Sequence, residues 1–250
     1  MNKKVLIISN PGEPEAENYC EGVNVDVNQY LNYFKSPLGG AWYSSEILHL
    51  NRPTASEVKN AVNDLATLDY SLVLFCGHGW YSSIDRATIL ELRKGQQLSE
   101  MEFRKGGSKR TILLDCCREV HEESILKAAM ESFSMESEAN VLSAAECRKY
   151  YEKSISLASN GLVVTHACAI NETAGDSATY GGYYSGSLRE CAADWLKNNR
   201  TDLSKNYSAF SIVKAHEKAC GLVRNMSGER QNPKIEKPRS DPYFPFAIVA

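Results

Sequence analysis

The chain has 250 residues, a formal net charge of -3 and a hydrophobic content of 43%. It is long enough for one large α/β domain with a sizeable core, and its mixed charges give no reason to expect nucleic acid or an anionic membrane as a partner. No apolar run approaches the roughly 20 residues that a membrane-spanning helix needs, so no membrane span is expected.

The first predicted element is a strand at Val5 to Ser9. Met1 to Ser9 has a basic start and an apolar centre, as a secretory signal peptide would. Its apolar run ends at Ile8, however, and is shorter than the roughly 7 residues that the core of a signal peptide requires. No small-residue cleavage site follows, and residues 10 to 12, Asn-Pro-Gly, predict a turn instead.

Helices and strands then alternate. Val23 to Phe34 places apolar residues at three- and four-residue spacing along one face of a predicted helix. Ile47 to Leu50 is predicted as a short strand, and Thr54 to Glu57 has the pattern of a capping box at the start of the next helix. This order of elements predicts a doubly wound sheet with right-handed crossovers.

Two apolar runs end in residues that can carry chemistry. Leu72 to Phe75 leads into Gly77, His78 and Gly79, and Thr111 to Leu114 leads into Asp115, Cys116 and Cys117. Such runs are typical of strands that are buried on both faces, and open α/β sheets place their chemistry at the carboxyl ends of these strands. If the two strands are neighbours, a histidine and a cysteine lie side by side, which is the minimum equipment for nucleophilic catalysis by a thiol.

The remaining elements are predicted from periodicity and turn residues. They are a hairpin at Tyr81 to Leu92 with its turn at Asp85-Arg86, a charged helix with a solvated face within Val120 to Lys153, a strand at Leu162 to Ala169, helices at Tyr183 to Asn198 and Ser208 to Arg224, a surface connection at Arg230 to Asp241, and a terminal strand at Tyr243 to Val249.

The eight cysteines do not indicate a disulfide framework of the small secreted kind, because the chain is long and most of them are embedded in apolar stretches. A reducing cytoplasm is therefore the expected location. Cys116, Cys117 and His121 lie close in sequence, but no second pair of ligands completes a tetrahedral zinc site. We expect no bound metal.

Several of these motifs together resemble the caspase and metacaspase family of cysteine peptidases. The matching pieces occur in family order and are Cys20 to Asp26, Leu38 to Trp42, Gly77-His78-Gly79, Asp115-Cys116-Cys117-Arg118, Cys168 to Asp176, and Gly181 to Ser185. The resemblance implies a three-layer α/β/α sandwich with a mostly parallel central sheet. It also implies a single domain over residues 1–250, with a large-subunit-like part at about 1–145 and a small-subunit-like part at about 155–250.

The resemblance assigns the catalytic residues. Cys117 corresponds to the family nucleophile, although strand alternation alone does not decide between it and Cys116. His78 corresponds to the general base, which later protonates the leaving amine. The amides of Gly79 and Cys117 correspond to the oxyanion hole. His121, His166 and His216 are weaker candidates for the base.

The resemblance also implies a specificity pocket. In metacaspases two acids hold the arginine or lysine side chain that precedes the scissile bond, and the matching positions are Asp115 and Asp176. Two carboxylates around a guanidinium form a bidentate clamp, which favours arginine over lysine. Asp176 is alternatively the cap of a helix or turn. Tyr184 and Ser185 depart from the family motif, which bears on the shape of the pocket.

The resulting hypothesis is a cysteine endopeptidase that acts on protein or peptide substrates through a Cys-His dyad and a thioester acyl-enzyme. The alternatives are a catalytically silent caspase-like scaffold, a partner-activated zymogen in a signalling or defence system, and an enzyme of the clostripain, gingipain or separase kind. In the family the stretch that matches Val120 to Lys153 is often cut during activation. No cofactor is expected, and the acids between Glu13 and Glu21 lack the spacing of a calcium-binding loop. The oligomeric state is left open.

Overall fold

The computed structural model describes residues 1–120, 142–199 and 206–250. Its helices are α1 (Glu21–Lys35), α2 (Ala55–Leu65), α3 (Ala144–Leu157), α4 (Tyr183–Asn199) and α5 (Ile212–Ser227). Its strands are β1 (Lys3–Asn10), β2 (Ile47–Asn51), β3 (Tyr70–Gly77), β4 (Gly79–Ser82), β5 (Ala87–Arg93), β6 (Gln96–Ser99), β7 (Lys109–Asp115), β8 (Gly161–His166), β9 (Asp176–Ser177), β10 (Gly181–Gly182), β11 (Ser208–Ser211), β12 (Lys234–Glu236) and β13 (Pro245–Val249).

A six-stranded sheet forms the centre of the fold, in the order β12-β8-β7-β3-β1-β2. Every neighbouring pair is parallel except β12 and β8, which are antiparallel. Helices flank this sheet, so the expected three-layer α/β/α architecture with a mostly parallel central sheet is confirmed. Strands β1, β3 and β7 are apolar runs because both of their faces are covered.

The alternation of side chains along β1 shows how the two cores arise. Val5 and Ile7 point into a core that is rich in aromatic residues, with α1, α3, α4 and α5. Leu6 and Ile8 point into the opposite core, under α2 and the strands β5 and β6. Because successive side chains of a strand face opposite sides, one apolar run supplies both cores.

The capping box that the sequence predicts is present at the start of α2. The Thr54 hydroxyl oxygen accepts a hydrogen bond from the Glu57 amide at 3.2 Å, and the Glu57 carboxylate accepts one from the Thr54 amide at 2.7 Å. These bonds satisfy two backbone donors that a helix start would otherwise leave without partners.

The segment after His78 differs from the predicted hairpin. It forms a three-stranded antiparallel sheet, β4-β5-β6, rather than two strands. The third strand, Gln96–Ser99, is short and polar, and only Leu98 faces the core. This composition gives too weak an alternation to indicate a strand.

Two downstream predictions are wrong in part, whereas the terminal strand is present as β13. The helix predicted at Ser208 to Arg224 starts only at Ile212, because its first four residues form β11 and Ser211 caps the helix with its hydroxyl at 3.3 Å from the Lys214 amide. The connection predicted at Arg230 to Asp241 contains β12, which pairs with β8. The terminal strand β13 pairs with β11 in a separate two-stranded sheet.

The charged stretch from Val120 to Lys153 is described only in part. Helix α3 confirms the helical prediction for its second half, and Cys147, Tyr151 and Ile155 on this helix are buried. The remainder, residues 121–141, lies outside the described residues, as does His121.

In the parts of the chain that the structure describes, no helix has the length and apolar character required to cross a membrane.

Candidate active site

The candidate active site lies where the neighbouring parallel strands β3 and β7 end. Cys76 in β3 pairs with Asp115 in β7, so His78 and Cys117, each two residues further along its own strand, leave the sheet at the same edge. The structure therefore places the two residues that the sequence predicts as base and nucleophile at the same edge of the sheet.

The glycine before His78 has a clear structural reason. Gly77 has a φ angle of 152°, and a Cβ atom at this position would lie 2.5 Å from the carbonyl oxygen of Asn10. Only glycine allows the chain to turn here so close to β1. The imidazole that follows faces the loop after β1, since a Cβ atom on Gly12 would lie 3.2 Å from His78 Nε2. This nitrogen is buried and makes no hydrogen bond within the described residues.

Cys117 lies against the loop that follows β8. Its sulfur accepts a hydrogen bond from the Ala174 amide at 3.3 Å and donates one to the Ala174 carbonyl at 3.8 Å. Burial is the main cause that raises the pKa of Cys117 to about 11; the Ala174 amide opposes the shift, and the nearby carboxylates of Glu119, Asp115 and Asp176 contribute to it. In this state the nucleophile candidate is a neutral thiol.

The neighbouring thiol of Cys116 has a different environment. Cys116 is 3% exposed, and a Cβ atom on Gly79 would lie 2.9 Å from its sulfur. Cys116 thus packs into the core beneath β4 and β5, whereas Cys117 is half-buried beside the loop that leads to Asp176. The geometry favours Cys117 as the thiol that a substrate reaches.

Asp115 ends β7 with its side chain buried. Its Oδ2 atom accepts a hydrogen bond from the Ser185 amide at 2.9 Å, at the start of α4. Burial raises the pKa of Asp115, and the amide of Ser185 opposes this effect. A Cβ atom on Gly182 would lie 2.6 Å from Asp115 Oδ2 and 2.9 Å from Asp26 Oδ2. The two carboxylates therefore meet beside Gly182.

Asp176 lies close to these two acids. It opens strand β9, opposite Gly182 in β10. A Cβ atom on Gly22 would lie 2.6 Å from Asp176 Oδ2, so the start of α1 also contacts this acid. The charge of Asp176 raises the pKa of both Asp115 and Cys117, which places it within electrostatic reach of each.

Asp26 and Arg189 also lie beside Asp115 and Gly182, although the sequence predicted no role for either of them. Asp26 accepts hydrogen bonds from the Gly182 amide at 2.7 Å and from Arg189 Nη2 at 3.0 Å. Burial raises the pKa of Asp26 to about 7; the Arg189 guanidinium opposes this shift and Asp115 adds to it. A signal was present in the sequence, because Asp26 interrupts the apolar face of α1 between Val23 and Tyr30.

The other histidines have different partners. His166 Nε2 is 2.8 Å from Glu100 Oε2, and both side chains are buried. His216 Nδ1 is hydrogen-bonded to the Tyr184 hydroxyl at 2.8 Å, and burial lowers the pKa of His216 to about 4. Within the ranges that the structure describes, no three His, Cys, Asp or Glu side chains are grouped as ligands of a metal ion.

Comparisons with known proteins show the family and the fold of the chain. A family model described as the caspase domain matches residues 2–244. Among solved structures, the crystal structure of caspase-1 from Spodoptera frugiperda is similar with a TM-score of 0.56 over 94% of this chain and 88% of that chain, at 12% sequence identity. At this identity the structural match shows a shared fold. No curated protein sequence matches the chain significantly. Since the family model spans nearly the whole chain, the protein belongs to the caspase domain family of cysteine peptidases.

Proposed function

We propose that this protein is a cysteine endopeptidase that cleaves protein substrates after arginine, or after lysine, through the dyad of Cys117 and His78. The observation that carries this proposal is the meeting of two carboxylates beside Gly182, that of Asp26 from α1 and that of Asp115, which ends the strand leading to Cys117. A carboxylate at such a buried position is costly unless it meets a cation or hydrogen-bond donors. A basic substrate side chain supplies both.

The balance of charge supports a basic rather than an acidic substrate residue. Three acids surround the proposed pocket: Asp26, Asp115 and Asp176. Among the described residues the one cation beside them is Arg189, which is bound by Asp26 and by Gln29 at 2.5 Å. A guanidinium can donate to two carboxylates at once, so arginine is expected to bind more tightly than lysine. This pocket resembles that of metacaspases, whereas caspases use arginines to bind aspartate.

The proposed reaction uses the thiol and the imidazole in turn. His78 takes the proton from Cys117, and the sulfur attacks the substrate carbonyl to form a tetrahedral intermediate, whose oxyanion the amides of Gly79 and Cys117 stabilise. His78 then gives its proton to the leaving amine as the peptide bond breaks and a thioester forms. In the second half His78 takes a proton from water, and the hydroxide attacks the thioester. The carbon–sulfur bond then breaks, the carboxylic acid leaves, and His78 returns its proton to the Cys117 sulfur.

A specific observation favours a partner-activated zymogen as the second candidate. The Cys117 thiol is held by both backbone groups of Ala174, and its pKa is raised to about 11 by burial. A thiol with this pKa is almost entirely protonated at neutral pH, and the thiolate is the nucleophile. Either a substrate or an activating partner must therefore release Cys117 from Ala174.

The test is the release of a fluorophore from short peptides that end in arginine, lysine or aspartate. We expect the wild type to prefer arginine, the Cys117→Ala variant to be inactive, and the Cys116→Ala variant to retain activity. The assay is run with and without calcium, because some metacaspases require it. Cleavage after aspartate, or activity that survives in Cys117→Ala, would refute the proposal. Inactivity on every peptide would favour the zymogen or the silent scaffold.

A further inference from the structure

The residue after the candidate nucleophile is a buried arginine. Arg118 is 7% exposed, and its Nε atom donates a hydrogen bond to the hydroxyl oxygen of Thr88 on β5 at 3.1 Å. Its Nη1 atom donates to the carbonyl oxygen of Cys168, in the loop after β8, at 3.4 Å. One side chain thus connects the nucleophile turn with two other elements.

The backbone of Arg118 strengthens the connection to the loop after β8. The Arg118 amide donates to the Glu172 carbonyl at 3.0 Å, and the Arg118 carbonyl accepts from the Asn171 amide at 2.8 Å. This loop continues to Ala174, which contacts Cys117, and to Asp176 at the pocket. The loop that holds the nucleophile turn in place is therefore the same loop that leads to Asp176.

Strand β5 also holds the segment with the candidate base. The Glu91 amide of β5 donates to the His78 carbonyl at 3.0 Å, and Gly79 pairs with Leu90. Thr88 lies on the same strand, opposite Tyr81. The bond from Arg118 to Thr88 consequently fixes the nucleophile turn to β5, the strand that pairs with Gly79 and is bonded to the His78 carbonyl.

Thr88 is itself fixed. It is fully buried, and its amide donates to Glu100 Oε1 at 3.1 Å, while the other carboxylate oxygen of Glu100 is bound by His166. The hydroxyl group that receives Arg118 therefore has a defined position, and it is held by two further elements of the fold.

Stability alone does not account for this arrangement. Arg118 is buried, and within the described residues its guanidinium donates to a neutral hydroxyl and a neutral carbonyl and lies 5.6 Å from the centre of the Tyr81 ring. Desolvation of a charge is expensive, and an apolar side chain of similar volume at such a site is often as stable or more stable. What the arginine adds is a set of directional hydrogen bonds that join the nucleophile turn to β5 and to the loop after β8.

We propose that Arg118 and Thr88 are positioning residues of the peptidase site, which hold the nucleophile turn in register with the strand that bears His78 and Gly79. This inference rests on the proposed function. Neither residue touches the substrate. Without their hydrogen bond, the turn retains its fold but Cys117 is no longer held at the distance and angle that attack requires.

The test compares Thr88→Val, which keeps the shape of the side chain but removes the hydroxyl acceptor, with Thr88→Ser, which retains it. Thr111→Val is the matched control, because Thr111 is also a buried threonine whose hydroxyl accepts a hydrogen bond, from Tyr70 at 2.8 Å, on the same strand as the nucleophile. For each variant kcat and KM are measured on the arginine peptide. The rate at which iodoacetamide modifies Cys117 is followed by peptide mass spectrometry, with the buried Cys147 as an internal control for unfolding.

We expect Thr88→Val to lower kcat about tenfold or more with KM within about twofold, as loss of orientation predicts. In the same variant we expect iodoacetamide to modify Cys117 at least several-fold faster than in the wild type, while Cys147 stays protected. Thr88→Ser restores most of both values, and Thr111→Val changes neither.

Equal effects of Thr88→Val and Thr111→Val on kcat and on the modification rate would overturn the inference. The modification rate of Cys117 needs no peptidase activity, so it decides the positioning role even if the wild type cleaves no peptide. A protein that is inactive but shows the Cys117-selective effect therefore fails the proposed function and not this inference.

Discussion

The carboxylates of Asp26 and Asp115 meet beside Gly182, although one lies on the first helix and the other ends the strand that leads to Cys117. Asp26 is bound by the amide of Gly182, and Asp115 by the amide of Ser185 three residues later. The turn between β10 and α4 thus holds both acids with backbone donors, which keeps two like charges close together in the absence of a substrate.

Asp115 is expected to determine binding of the substrate side chain. Asp115→Asn preserves shape and removes the charge, so the value of kcat/KM on the arginine peptide should fall about 10- to 100-fold, the range expected for loss of one charged hydrogen bond. Peptide hydrolysis measures this. The control is Asp64→Asn, at an exposed position on α2, which should behave as wild type. Equal loss in both variants would contradict the assignment.

Gly182 is expected to keep the pocket open. A Cβ atom at Gly182 would lie 2.6 Å from Asp115 Oδ2, closer than van der Waals contact allows, so Gly182→Ala must displace this carboxylate. We expect a clear rise in KM for the arginine peptide. Gly221→Ala on α5 is the control, because no heavy atom lies within 4 Å of the added Cβ.

The control substitution has an expected outcome of its own. Alanine in a helix interior is favoured over glycine by about 0.5–1 kcal/mol, so Gly221→Ala should raise the melting temperature without changing KM. If Gly182→Ala and Gly221→Ala give the same KM, then Gly182 does not border the substrate pocket.

The acid Asp26 should make the stability of the protein depend on pH. Burial raises the pKa of Asp26 from its ordinary value of 3.8 to about 7 in the folded state. Between these values the folded chain binds a proton that the unfolded chain has lost, so this group lowers stability as pH rises from about 4 to 7 and has a constant effect above that. Urea unfolding at several pH values measures it.

The comparison for this prediction is Asp26→Asn, which cannot titrate and can still accept a hydrogen bond from Arg189. The difference in unfolding free energy, wild type minus variant, should decrease from pH 4 to pH 7 and then level off. A difference that increases over this range would show that the attraction of the Arg189 guanidinium outweighs burial and that the pKa of Asp26 is lowered.

The thiol of Cys117 should be slow to react at neutral pH. Its pKa is raised to about 11, so the rate of modification by iodoacetamide should rise about tenfold per pH unit up to pH 10. The same protein unfolded in urea is the control, in which the rate levels off near the ordinary thiol pKa of about 8.5. A plateau below pH 8 in the folded protein would indicate a thiolate already activated.

The sequence predicted the elements whose signal is local. Strands β1, β3 and β7 have apolar runs because the sheet is covered on both faces, and the capping box at Thr54 involves residues only three apart. The strands β6, β11 and β12 have three or four residues each and few apolar side chains, so their pairing depends on distant partners.

The residues of the candidate site also divide into those with a local sequence signal and those that depend on distant partners. His78 and Cys117 follow buried strands and Asp115 ends one, which marks them as candidates, although the choice of Cys117 over Cys116 came from the resemblance to the family. Asp26 and Arg189 are 163 residues apart and become a pair only when α1 and α4 pack on the same face of the sheet. The contact of Arg118 with Thr88 likewise requires the three-stranded sheet, whose third strand has no clear sequence signal.

The parallel pairing of β7 with β8 has a consequence for chains that are cut between these strands. The two strands share six paired positions, from Lys109 with Gly161 to Leu114 with His166. Cleavage of the connection breaks one peptide bond and leaves this ladder, together with both cores, in place. The two fragments should therefore co-elute as one particle and separate only in denaturant, with the acids of the pocket still divided between them, Asp115 on one and Asp176 on the other.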